Sequence, residues 1–250
     1  MKGLDPLWLV LAGLGAGLSG SVAGLASLVS YPALLAVGLT PVSANVSNTV
    51  ALVFSSVGSV WGSRPELTGQ RARARRLGPV AVAGGLAGGL LLLETPSDTF
   101  ARVVPCLIGL AALTILIPRN PTRLAPNVAQ RPTWKLSAGV FLIAVYGGYF
   151  GAAAGVLLLA LVLFATAEPL ARGNAIRNLL VGLANATAAV VFVAIGPVHW
   201  SAAVPLAVGC LAGGRLGPTI VRRVPAAPLR AVIACAGLGL AVHLGLDAYR

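Results

Sequence analysis

Long uncharged runs, separated by short charged gaps, set the pattern of this chain. No charge falls in 6–63, 77–93, 103–118, 136–167 or 178–214, and a last such run covers 231–246. A bilayer crossing takes about 20 apolar residues, so these runs hold roughly seven or eight helical segments and little else. Two runs stand apart because glycine crowds their apolar sequence: "GLGAGLSGSVAG" (13–24) and "YGGYFGAAAG" (146–155). Glycine costs a helix about 1 kcal/mol relative to alanine, so each cluster must serve packing or a break. The glycine-rich segments, about 7–38 and 136–167, are long for one span and short for two. They fit hairpins of two half-length helices turning inside the membrane, with interruptions expected near Gly17–Gly20 and Gly148–Gly151. The alternative is a single long tilted helix with a GxxxG packing face, Gly13–Gly17 and Gly20–Gly24. Three spans follow each segment: 41–62, 77–94 and 99–118, then 171–195, 201–220 and 226–247, with prolines at many of the joins.

Composition agrees with a membrane solvent. Of 250 residues, 57% are hydrophobic and 10% are charged, where soluble domains carry about 25% charged residues; mean hydropathy is +0.90. A net charge of +12 is compatible with a nucleic-acid partner, but its placement argues against one. Five arginines lie in "SRPELTGQRARARR" (63–76), and three plus Lys135 in "RNPTRLAPNVAQRPTWK" (119–135). Basic gaps between apolar runs are the positive-inside pattern of cytoplasmic loops. Cys106, Cys210 and Cys235 lie singly in apolar runs, which indicates small packing residues rather than a metal site or disulfides. No cofactor is expected. The N-terminal apolar run continues without a small-residue cleavage site and reads as mature protein.

The two halves align. Gly17, Gly20 and Gly24 fall on Gly148, Gly151 and Gly155 without a gap; after one deleted residue, Asn48 falls on Asn178 and Ser55 on Asn185. Charge reverses between the copies. The basic loop 63–76 has an arginine-free counterpart at 196–200, and the turn at 95–98, beside Glu94 and Asp98, has a counterpart holding Arg222 and Arg223. Such reversal is expected of repeats inserted upside down. The expected fold is therefore an all-α polytopic membrane protein with two inverted repeats, each a glycine-broken, re-entrant segment plus three transmembrane helices. Residues 1–118 form the first repeat, 119–134 a basic cytoplasmic linker and 135–250 the second repeat.

"GAGLSGSVAG" followed by "YPALLAVGLTPVSANVSNTVAL", and "YGGYFGAAAG" followed by "NAIRNLLVGLANATAAV", resemble the TauE/SafE family of sulfite exporter-like membrane proteins over 7–247. The resemblance implies transport of a small sulfur-containing anion, such as sulfite or a sulfonate, across the cytoplasmic (inner) membrane. Its partners would be that anion and the lipid bilayer, with a homo-oligomer left open.

Such a carrier needs donors at membrane depth and the positive ends of broken helices. Arg177, two turns into an apolar span, is the leading substrate-binding candidate, since intramembrane charges are costly; snorkelling to the interface is its alternative role. Asn178 and Asn48 offer matched amides, and Asn45 and Asn174 lie near the same helix starts, where capping would equally explain them. Ser55 and Asn185, with Ser56 and Thr187, lie deeper, as pathway lining or interhelical bonds. Tyr146 and Tyr149 carry hydroxyls within the second broken segment, and Ser19 and Ser21 occupy the matching part of the first. Arg177, Asn178 and Asn48 are expected to converge beneath the breaks, with Tyr146 or Tyr149 nearby. Glu168 reads as a helix-start acid, Arg172 as a surface residue, and His199 and Trp200 as interface anchors; His243 has no evident partner. An intramembrane enzyme would need a nucleophile–base pair or metal cluster, and no such motif is present. A channel and a non-transporting assembly subunit stay open as alternatives.

Overall fold

The computed structural model describes residues 6–116, 133–166 and 168–221, with positions 238, 239, 242 and 246 beyond them. Arg222, Arg223, Cys235, His243, most of the linker and nearly all of the 226–247 span lie outside the described residues. The described chain is helical, with no strand among those residues: α1 (Pro6–Ala23), α2 (Ser27–Ala36), α3 (Pro41–Gly62), α4 (Arg64–Leu67), α5 (Arg71–Glu94), α6 (Ser97–Leu116), α7 (Thr133–Tyr149), α8 (Ala154–Ala165), α9 (Leu170–Ile195) and α10 (Trp200–Val221).

Among the described residues, four helices are long and apolar enough to cross a bilayer: Pro6–Ala23, Arg71–Glu94, Leu170–Ile195 and Trp200–Ile220. Full-length α3 is not among them, because it carries Ser43, Asn45, Ser47, Asn48, Thr49, Ser55, Ser56 and Ser59. Six of those eight are buried within the protein rather than facing lipid. Its start follows local rules. Thr40 caps it by accepting from the Ser43 amide at 3.4 Å, and Pro41 occupies the first turn, where a missing N–H costs nothing. Helix α5 begins six residues before the expected 77, since arginine is a good helix former and its charge reaches past the membrane edge; Pro79 lies inside it rather than at its start.

Both glycine-rich segments are broken, the first at a different place from that expected. Gly17 and Gly20 sit inside continuous α1, and the chain turns at Gly24, whose φ of +78° is left-handed. The second break falls at Phe150–Ala153, with Gly151 at φ +74° and Ala153 at φ +57°. Gly13 and Gly17 serve contact instead. A Cβ on Gly13 would lie 2.2 Å from the Leu206 carbonyl oxygen, and one on Gly17 2.4 Å from that of Cys210, so α1 and α10 touch backbone to backbone. Packing glycines and a break glycine thus share one segment.

These close approaches also give helix directions. Gly13 meets Leu206 and Gly17 meets Cys210; Gly58 meets Leu211 and Gly62 meets Arg215. Helices α1, α3 and α10 therefore run the same way, and α2 must carry the chain back so that α3 can begin. Gly84 meets Phe141 and Gly88 meets Val145, while Gly85 meets Ala184 and Gly89 meets Ala188, so α5, α7 and α9 also share a direction. Across the molecule α10 packs on α1 and α3, α5 on α7 and α9, and α3 meets α9 at the centre. At one end, Arg73 of α5 and Arg172 of α9 share Glu168, at 3.1 and 2.7 Å. Gln70 ties the same corner together by donating to the Arg172 carbonyl at 3.0 Å.

Candidate functional site

The two breaks meet. A Cβ on Gly24 would lie 2.6 Å from the Gly155 carbonyl carbon, so the two chain reversals touch through bare backbone. Beside this contact, between α3 and α9, lies a cavity of about 40 Å³, room for roughly three waters or one small oxyanion. Its wall includes Gly24, Ala26 and Ser27 at the start of α2, Gly151, Ala154 and Gly155 at the start of α8, and Thr49, Ser55, Ser56 and Ser59 of α3. Arg177, Asn178 and Asn185 of α9 complete the polar lining. The amino-terminal ends of two half-helices thus face one space, where the helix dipole favours negative charge.

The carboxyl ends of the broken helices present the opposite problem: buried carbonyls with no continuing helix. At each end the amides of the turn close part of them, Gly24 to Gly20 and Leu25 to Ser19, Phe150 and Gly151 to Tyr146, and a residue from the other half of the chain adds a further donor. Arg177, only 2% exposed, donates through Nη1 to the Gly20 carbonyl at 2.8 Å and through Nη2 to that of Ser21 at 3.2 Å. Its Nη2 also donates to Asn174 Oδ1, and Asn174 Nδ2 donates to the Ser21 carbonyl at 2.9 Å. At the second break, Asn45 Nδ2 donates to the Tyr149 carbonyl at 2.8 Å. The guanidinium is therefore a helix cap and a cavity wall together, its positive charge opposed to the negative end of α1.

The hydroxyls divide by direction. Thr49 and Ser59 donate to carbonyls one turn back, at 3.0 and 2.8 Å, and so offer the cavity lone pairs. Ser27 accepts from Asn48 Nδ2 at 3.3 Å, which leaves its own proton to donate. Asn178, 4% exposed, has an Nδ2 with no protein partner. A buried amide left unpaired costs about 1–3 kcal/mol, and this one borders the cavity.

Of the candidates from sequence, Arg177, Asn178, Ser55 and Asn185 line this space. Asn48 stands behind Ser27 and accepts from Ser30 Oγ at 2.5 Å, fastening α2 to α3. Asn45 and Asn174 hold helix ends. Tyr146 closes the second turn by donating to the Ala152 carbonyl at 2.7 Å, and Tyr149 stacks edge-on against Phe100 at 5.8 Å. Thr187 bonds back to Leu183, Ser19 to Ala16, and Ser47 accepts from the His199 amide at 2.9 Å. Ser27, Thr49 and Ser59 were not singled out from sequence. Ser59 was legible one turn beyond Ser55, whereas Ser27 needed the location of the break.

This is a polytopic membrane protein with a small polar cavity at crossed helix breaks, the class to which transport proteins belong. The chain belongs to the sulfite exporter TauE/SafE family, whose model matches residues 9–244. Among relatives, the probable membrane transporter protein YfcA of Escherichia coli K12 is 25% identical over 210 residues, 82% of this chain and 77% of that protein. The probable membrane transporter protein ORF9 of a Sinorhizobium species is 23% identical over 242 residues, 96% of this chain and 92% of that protein. No solved structure matches the chain.

Proposed function

We propose that this chain carries a small sulfur-containing anion, sulfite or a sulfonate, across the cytoplasmic membrane, and that the cavity at the crossed breaks is its binding site. The observation that carries this reading is the unpartnered Asn178 amide, buried beside the amino ends of α2 and α8. A cation already committed to carbonyls, neutral donors and two helix ends hold an anion loosely, and looseness is what release requires. Arg177, Asn178, Ser55 and Asn185 would contact it directly. Asn48, Asn45, Asn174, Tyr146 and Tyr149 would act by holding the half-helices in place.

The reading includes two inverted repeats, 1–118 and 135–250, joined by a cytoplasmic linker at 119–134. Its support is the exchange of partners in which α10 joins α1 and α3 while α5 joins α7 and α9. Basic residues at 63–76 place that end in the cytoplasm by the positive-inside rule. The cavity is lined by one chain, so the reading needs no second copy, and it assigns the protein no catalysis. Flux into proteoliposomes of sulfite, thiosulfate, sulfoacetate and taurine tests it. Asn178→Leu should lower the saturable flux of one of these anions about tenfold while the protein still elutes as a single species. Linear, unsaturable flux would favour a channel. No flux of any of the four, with folded protein in the vesicles, sinks the substrate assignment.

A further inference from the structure

A second concavity lies on the outside of the α3·α9 contact. Its volume is about 380 Å³, and its walls are Val53, Val57, Val60 and Trp61 of α3 against Leu179, Leu183 and Ala186 of α9, with Gly182 and Ser56 at the floor. Unlike the central cavity it is almost wholly apolar, and it opens toward the membrane, where Val57 and Trp61 are about half exposed. From Trp61 to Val53 α3 rises about 12 Å, with Arg64 just past its end, close to half of a hydrocarbon core about 30 Å thick. That is the depth of one leaflet. Among the described residues its lining comes from α3, Arg64 and α9 alone.

Its mouth is cationic. Arg64 lines the groove itself, with its guanidinium carbon 5.8 Å from the Trp61 ring centre, and Arg215 of α10 lies over the same ring at 3.8 Å. Two arginines sharing one tryptophan at the interface end of a leaflet-deep apolar slot match an anionic headgroup above a hydrocarbon tail. Water in the slot would find only the Ser56 hydroxyl on its floor, and a soluble anion would lose hydration for apolar walls.

We propose that the groove between α3 and α9 binds one acyl chain of an anionic phospholipid, with the phosphate held by Arg64 and Arg215. The bound chain stands against the outer faces of the two helices whose inner faces form the central cavity, with Ser56 bordering both spaces. The site is separate from the anion site, and its test does not depend on transport.

The test is native mass spectrometry of the full chain in detergent, with phosphatidylglycerol and phosphatidylcholine of identical acyl chains. The wild-type protein should retain one phosphatidylglycerol in preference to phosphatidylcholine. Arg64→Gln and Arg215→Gln should each lower that retention roughly fivefold. Ala186→Phe, which fills the slot, should abolish it; Val57→Trp fills it from the exposed opposite wall if the first variant does not elute as folded protein. Equal retention of the two lipids overturns the proposal, as does unchanged retention in the double arginine variant or in a folded slot-filling variant. Displacement of the lipid by sulfite or inorganic phosphate would assign the groove to a soluble anion and overturn it too. A dimer occupying the groove in place of lipid has the same consequence.

Discussion

The two helix breaks meet the same demand with different chemistry. At the first, α1 ends in carbonyls held by a charged guanidinium assisted by Asn174, and the turn itself is a single left-handed glycine, Gly24. At the second, α7 ends in one neutral bond from Asn45, helped by the Tyr146 hydroxyl, and the turn needs two left-handed residues, one of them Ala153. Aromatic packing supports the second turn: Phe150 meets Tyr31 at 5.4 Å and Phe100 at 6.0 Å. The first break is fixed by electrostatics and the second by packing. Consequently, among the described residues, the cavity has one positive charge, and it sits on one side.

Removing the charge should have the largest effect. Arg177→Ala removes the charged donor from the Gly20 and Ser21 carbonyls, which keep bonds from the Gly24 amide and Asn174 Nδ2, and strips Asn174 Oδ1 of its partner, a cost of about 1–3 kcal/mol, and flux should vanish with the stability. Arg177→Lys should recover part of both, because the charge survives without the planar fork. Thermal midpoints in detergent, read beside flux, check this; normal transport by a stable Arg177→Ala protein refutes the role. Asn45→Ala should be milder, about 1–2 kcal/mol, since one neutral bond is lost. If it proves as damaging as Arg177→Ala, the two breaks do not differ as described. Ala153→Gly should stabilise by about 0.5–1 kcal/mol, because glycine occupies the left-handed region without the Cβ penalty. The same measurement detects it as a rise in midpoint.

Smallest is a pH effect at the corner that joins α5 to α9. Partial burial raises the Glu168 carboxyl, but hydrogen bonds and charge from Arg172 and Arg73 outweigh it and hold it below the usual carboxylate value. A lowered folded pKa contributes stability above the unfolded value of about 4.3 and loses it as pH falls through the lower one. For a partly exposed network the contribution is at most about 1 kcal/mol. The midpoint of the wild-type protein should therefore fall more steeply than that of Glu168→Gln between pH 5 and pH 3; parallel curves refute the assignment.

Helix bounds were largely legible in sequence because hydropathy and proline mark them: α3 begins at Pro41 as expected, and α6, α9 and α10 fall within about two residues of expectation. The exact break at Gly24 was not. Five glycines in a row of twelve look alike, and only a partner helix reveals which of them face α10 and which turns. Arg177 and Asn178 stood out because charge and amide are conspicuous in an apolar run. Which of the asparagines face the cavity depended on the turn of α3 and on where the half-helices end. Asn48, matched to Asn178 by alignment, meets Ser27 and Ser30 instead, because the chain folded against it is α2.

Crossed capping also bears on how the protein is made. The guanidinium that closes α1 lies 157 positions beyond the Gly20 carbonyl. At about 5–20 residues per second, a ribosome needs roughly 8–30 seconds to cover that distance. Throughout that interval the Gly24 and Leu25 amides can close the Gly20 and Ser19 carbonyls, but the Ser21 carbonyl lacks the donors of α9. The first half should therefore reach its final stability only when α9 enters. Expressed alone, residues 1–118 should be degraded, and co-expression with 135–250 should rescue them.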